Sequence, residues 1–182
     1  MKKIIFFTIA ILCNMQIIAQ ELPTVAGVTF GDNYEACKAK LDKRFNGGED
    51  SHQGTSNELT YYNVNFAGES FSSASFFFQT NGNNTYLSAI GFFCKYNLRD
   101  LNHAKAKRDR LYKLFIDKYD FRWSNTNKNG LKYYVFGHSP NDENDGFVVV
   151  GISKEGTKDG DMKYWTQIIY GPVNFVNPTD EI

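Results

Sequence analysis

The sequence predicts an α+β protein made of two α-β-β-β repeats, with antiparallel sheets and the helices packed on one side. Three observations carry this. Runs of aromatic and β-branched residues are separated by turn residues that suit tight hairpins. Two segments place apolar residues at helical spacing. The order of one helix and then three strands occurs twice. The clearest strands are Leu59 to Phe66, Phe71 to Thr80 and Thr85 to Tyr96. Asn81-Gly82 closes the second gap, because Asn-Gly accepts the positive φ of a tight turn. Strand alternation puts Ile90, Phe92, Cys94 and Tyr96 on one face of the third strand. Leu87, Ala89, Gly91, Phe93 and Lys95 fall on the other. In the middle strand Ala74, Phe76 and Phe78 oppose Phe71 and Phe77.

Residues 1–19 read as a signal peptide: Lys2 and Lys3, an apolar run from Ile4 to Leu12, and Ala19 before the cut. The run is too short to span a bilayer. The expected address is therefore the periplasm or the medium. Cys13 as a lipidated residue is the other reading, but Leu12 directly before it does not fit the small residues such a signal places there. Residues 20–97 form the first repeat and 98–182 the second, together one compact unit. There are 20 basic against 20 acidic residues, and two of the basic ones leave with the leader. That balance excludes a nucleic-acid partner, which calls for a basic footprint, and a polybasic membrane-surface protein.

In the first repeat, Gly31-Asp32-Asn33-Tyr34-Glu35 is a helix start, with Asp32 or Asn33 as cap and Glu35 at the capping-box position. Tyr34, Cys37, Leu41 and Phe45 follow on one face, and Gly47-Gly48 ends the helix. A polar loop from Glu49 to Asn57 leads to the strands. In the second repeat the helix runs from about Leu101 to Tyr119, with Leu101, Ala104, Leu111, Leu114 and Phe115 inward. Lys105, Lys107, Arg110 and Lys113 read as its solvated face. Asp120 to Gly130 reads as a connection containing Trp123, and strands follow at Leu131–Gly137, Gly146–Ser153 and Met162–Gly171. Asp159-Gly160 marks the last hairpin, and Asn177-Pro178 lies in a frayed end. Cys37, Leu41 and Phe45 align with Leu111, Phe115 and Tyr119 at an offset of 74, and Leu59 to Tyr62 with Leu131 to Tyr134 at 72. Ile90, Phe92, Leu41, Phe45, Leu111 and Phe115 are the expected core.

No catalytic or metal-binding constellation is read. His52, His103 and His138 stand apart, without the spacing of a zinc site. Asn141 to Gly146 resembles a calcium loop but lacks the closing glutamate, since Ile152 stands there, and reads as an acidic turn. Asn83-Asn84-Thr85 matches a glycosylation sequon, which a bacterial leader discounts. No cofactor motif is read. With Cys37 and Cys94 both left in the mature chain, one disulfide is permitted, yet both lie on apolar faces where a free thiol is equally comfortable, so the pairing stays open.

The stretch Gly27-Val28-Thr29-Phe30-Gly31-Asp32-Asn33-Tyr34-Glu35-Ala36, leading into a helix and a three-stranded meander, resembles modules of the BamE-like outer-membrane lipoproteins. Doubling such a module resembles the tandem units of β-lactamase-inhibitor-protein-like proteins. The resemblance implies action by binding other proteins through sheet faces and loops. Two copies and no lipobox depart from the lipoproteins, and no functional residue carries over.

Aromatic residues make up 16% of the chain, more than one α+β core needs. Either the two repeats cover each other's outward rings or those rings meet a partner. The expected function is that of an exported, non-catalytic binding or protein-interaction module, its partner another exported or envelope protein. The alternative is a small cone-shaped α+β enzyme or carrier holding an apolar ligand in an aromatic-lined pocket. Tyr61, Phe77, Trp123 and Trp165 are the candidate binding residues. Tyr61, Phe77 and Trp165 are expected to face away from the helices because their parity opposes Tyr62, Phe78 and Tyr164, and Trp123 because it lies in a connection between elements.

Overall fold

The computed structural model describes residues 22–51, 57–82, 84–142, 144–157 and 160–174. Residues 1–19 with Cys13, His52, Asn83 of the sequon, Glu143, Asp159 and the Asn177-Pro178 end lie outside the described residues. A short hairpin of β1 (Thr24–Val25) and β2 (Val28–Thr29) precedes helix α1 (Tyr34–Phe45). Then come β3 (Glu49–Ser51), β4 (Asn57–Phe66), β5 (Glu69–Asn81) and β6 (Asn84–Tyr96). A 3-10 turn at Leu98–Asp100 enters helix α2 (Leu101–Ile116), followed by β7 (Phe121–Thr126), β8 (Lys132–Phe136), β9 (Val148–Gly156) and β10 (Met162–Tyr170).

The strands form one antiparallel sheet of eight, in the order β3-β4-β5-β6-β10-β9-β8-β7. The two strand sets are thus joined through β6 and β10, where Phe92 pairs with Ile168 and Ile90 with Tyr170. Each helix is followed by four strands rather than three. The order of the second four mirrors that of the first.

Both helices lie on the same face. Tyr34 of α1 meets Phe78 edge-on at 5.0 Å, and Phe115 of α2 lies 5.9 Å from Phe136 and 6.2 Å from Tyr170. Leu41, Ile90, Phe92 and Leu111 are fully buried and Phe115 nearly so. Each such side chain contributes about 1.5–3 kcal/mol. Phe45 is only half-buried at the rim, with the Arg44 guanidinium 5.4 Å over its ring. Helix α1 begins at Asn33, whose Oδ1 accepts the Ala36 N–H at 2.8 Å. It ends at Asn46, one residue before the expected glycines, because Asn46 takes the left-handed conformation (φ 61) and closes on Asp42 O.

Several sequence expectations are corrected here. Tyr61 and Phe71 do not face outward: both are core, and Tyr62 is the exposed one, at 54%. The reason is Asn63, which sits at φ 53 and advances the side-chain phase by one residue. Leu59 and Tyr61 before it, and Val64 and Phe66 after it, then all lie on the helix side. The paired strand carries the same switch, since Tyr61 opposes Ala74 and Val64 opposes Phe71. Leu87 is likewise buried, because a register shift opposite Phe77/Phe78 lets Phe77 pair with Ala89 and Phe78 with Leu87, leaving Ser88 as the extra residue. The match of Leu59–Tyr62 to Leu131–Tyr134 does not hold in space. Tyr61 packs under α1, whereas Tyr134, not Tyr133, packs against Tyr112 of α2 at 4.3 Å.

On α2, Lys107 is not on the solvated face but 4% exposed, while Leu114 is 43% exposed. The buried stripe is Ala104, Lys107, Arg108, Leu111 and Phe115, regular helical spacing that happens to include two cations. Lys107 is held by Glu69 and by Ser70 O at 2.9 Å, with its ammonium 4.7 Å over the Phe71 ring. Trp123 is not in a connection but on the edge strand β7. Cys37 and Cys94 are free and buried, so the permitted bridge is not formed. Burial pushes the Cys37 thiol up to about 12, which makes it a poor nucleophile.

Candidate binding face

The side of the sheet opposite the helices is the candidate site. Among the described residues no helix or strand layer covers it. Its geometry follows from register. In one row across the strands, Asn125 pairs with Tyr133, and Gly151 with Gln167. The same row continues through Phe93 and Ser73 to Tyr62. The neighbouring row runs from Trp123 through Val135 and Val149 to Ile169 and Gly91. A third places Ser153 beside Trp165 and Trp165 beside Lys95.

Glycines set how the rings lie. A Cβ on Gly91 would fall 2.3 Å from the Phe93 ring, so that ring is folded down over the glycine of its own strand and turns its other side outward. A Cβ on Gly151 would stand 2.8 Å from Tyr133, and one on Gly146 would meet Val135 and Trp123. Trp165 meets Phe93 edge-on, 6.4 Å and 89° apart, and the Lys95 ammonium lies 5.6 Å from its ring. Both tryptophans of the chain are therefore on this face.

Of the four sequence candidates, three stand here. Trp123 is 38% exposed, and Phe77 and Trp165 are half-buried. Tyr61 does not join them: it is fully buried, its ring 5.4 Å from Phe45, its hydroxyl donating to Asp42 Oδ1 at 2.7 Å. Sequence reasoning missed Tyr62, Tyr133 and Gln167. Phe93 was assigned to the outward face by parity but not singled out.

At the Trp123 end a half-open cleft of about 300 Å³ lies between β7–β8, the turn at Ser139–Gly146 and Pro172–Asn174. Asn141 holds its far wall, donating to Asn174 O and accepting from Asn174 N, both at 2.9 Å. The turn resembling a calcium loop bonds to itself, with Asp142 Oδ1 accepting from Asn144 N at 2.8 Å and Asp145 O from Ser139 N at 2.9 Å. At the opposite end of the sheet an open cleft of about 500 Å³ has Lys95 and Lys163 beside Asp100 and Asp161. Tyr96 also lines it, its phenol pushed up to about 12 chiefly by burial, so it stays protonated and serves only as a neutral hydrogen-bonding group. A third open cleft, about 570 Å³, lies at the start of α1 beside Tyr34, Asn84 and Tyr86.

No group of three His, Cys, Asp or Glu that could hold a metal occurs among the described residues. His103 is exposed and 4.0 Å from Asp100, and His138 lies 3.4 Å from Arg122. No helix among the described residues is long and apolar enough to cross a membrane. No protein-family model matches the chain, and no curated protein and no solved structure matches it significantly.

Proposed function

We propose that the protein is an exported, non-catalytic binding module that presents the helix-free face of its sheet to a partner in the cell envelope or the medium. The observation that carries this reading is a sheet face over which no helix or strand of the described residues lies. It bears Tyr62, Phe77, Phe93, Trp123, Tyr133 and Trp165, rings with a large apolar area and few torsions to freeze on binding. The cone-shaped enzyme or carrier would need an apolar pocket between helices and sheet. Among the described residues that space is occupied by Tyr61, Phe76, Phe92 and Tyr170, each 0–1% exposed. Duplication of a single helix-plus-four-strand unit is part of the same proposal, supported by the mirrored strand order.

The test replaces Trp123 and Trp165 separately by alanine and measures thermal melting beside capture of partners from a periplasmic or secreted extract. Trp123→Ala should leave melting within a few degrees of wild type and weaken capture. Capture unchanged in both variants would remove the face from the function.

A further inference from the structure

We propose that the partner of this face is an uncharged polysaccharide chain laid across the strands, a step that rests on the face being the binding surface. The row from Tyr62 to Asn125 alternates flat rings with small polar groups. Tyr62 and Phe93 stand two strands apart, and Phe93 and Tyr133 three. At a strand spacing of about 4.8 Å the rings recur every ~10–14 Å. Between them come Ser73, Gln167 and Gly151, followed by Asn125 at the edge. A pyranose ring has a C–H face that lies on an aromatic ring and an equator of hydroxyls that both donate and accept. Gln167 and Asn125 do both as well.

The glycines make this a platform rather than a socket. Phe93 folds over Gly91, and Gly151, beside the Cβ of Tyr133, puts no side chain between Tyr133 and Gln167. A long track of spaced rings suits a repeating ligand better than a single small molecule. Charge selects the class. The rows from Tyr62 to Asn125 and from Trp123 to Gly91 contain no ionisable carboxylate or amine, and the charges in the rows beyond them are of both signs: Lys95 against Trp165, Glu155 opposite Lys163, and Glu58 beside Phe77. Single-stranded nucleic acid uses stacking platforms too, but with a basic groove along the backbone, and acidic glycans need the same cations.

The experiment incubates the purified chain with insoluble uncharged polysaccharides (cellulose, chitin, a β-1,3-glucan, starch) and with acidic ones, at low and high salt. Soluble oligosaccharides of any bound polymer are then titrated against tryptophan fluorescence, which reports on this face alone. Binding to at least one uncharged polymer, insensitive to salt, is expected. Tyr62→Ala and Tyr133→Ala should each weaken it about 3- to 10-fold, as loss of one stacking contact implies. Leu114→Ala, on the helix side, should leave it unchanged. Retention only on acidic polymers, lost with salt, overturns the proposal, as does retention unaffected by both tyrosine replacements. If no polysaccharide is bound while Trp165→Ala still abolishes capture of a protein partner, the polysaccharide assignment falls and the binding face stands. If neither is seen, both fall.

Discussion

Replacing Lys107 by methionine removes an ammonium that the fold holds at 4% exposure while keeping most of the stem that packs against Phe71. The ammonium donates to Glu69 and to Ser70 O, and hydrogen bonds to charged groups contribute about 1.5–3 kcal/mol each. Against this, methionine escapes the desolvation that burying a charge costs. Glu69 is not stranded either, because its side chain is 18% exposed and Arg110 stays 3.2 Å away. The balance lies at the low end of what breaking a buried pair costs, about 3 kcal/mol. For a chain of this size that lowers the melting temperature by about 6–12 °C. Adding Glu69→Gln should recover only a minor part, about 1 kcal/mol, since Arg110 and solvent still hold most of the carboxylate's charge. Urea titrations of both variants measure it. A Lys107→Met variant within about 0.5 kcal/mol of wild type, or a double variant no better than the single, would refute the reasoning.

The pH dependence gives a second reading of the same pair. The hydrogen bond from Lys107, aided by Arg110 and opposed by burial, holds the Glu69 carboxyl below its ordinary range. A depressed folded value means that stabilisation is complete above the unfolded value of about 4.3 and is lost as pH falls through the lower folded one. The gap between wild type and Lys107→Met should thus be widest above about pH 5 and narrow on acidification. A gap that widened with acid would contradict the assignment.

Tyr61→Phe keeps the buried ring and deletes only the hydroxyl bonded to Asp42, so equilibrium unfolding should show a loss of about 1–2 kcal/mol, and a neutral result would return Tyr61 to the outward face. Leu111→Ala should cost about 2–5 kcal/mol and Leu114→Ala less than about 0.5, a contrast that a thermal melt resolves and that reverses if the helix is rotated. Gly91→Ala drives a methyl into the Phe93 ring and should displace that ring, read as a change in near-ultraviolet circular dichroism with the helix-side core intact.

The elements that the sequence announced are those with local causes. Asn33 as a cap, the Cys37–Leu41 spacing and the aromatic runs each act within a few residues, and each appears where expected, while the turn expected at Asn81-Gly82 keeps Asn81 as the last paired strand residue, opposite Asn84, and begins at Gly82 (φ 59). Strand parity failed at Asn63, because one left-handed residue in an otherwise extended run leaves no mark in a pattern of apolar and polar letters. That single phase change accounts for Tyr61 and Phe71 together, since pairing carries it from β4 to β5. Strand β7 was missed because Phe-Arg-Trp-Ser-Asn-Thr is polar and its residues are almost all exposed, as an edge strand permits. Lys107 was read as solvated for the opposite reason: its partner Glu69 lies far away in sequence, and charge alone does not disclose burial.

How the two strand sets join was also beyond local reading, and it decides what the outward rings can do. Two sheets packed face to face would have hidden those rings in a shared core. Here β6 and β10 meet edge to edge and antiparallel, so the second set extends the sheet instead of covering it. The same junction brings α2 to the side already held by α1, and the opposite face doubles in width without gaining a helix or strand layer among the described residues. The aromatic residues consequently divide in two. Phe76, Phe92, Phe136 and Tyr170 fill the space beneath the helices, while on the other face Phe93 folds over Gly91 with Trp165 edge-on to it and Tyr133 stands beside Gly151. Edge-to-edge joining therefore turns an excess of aromatic residues into surface.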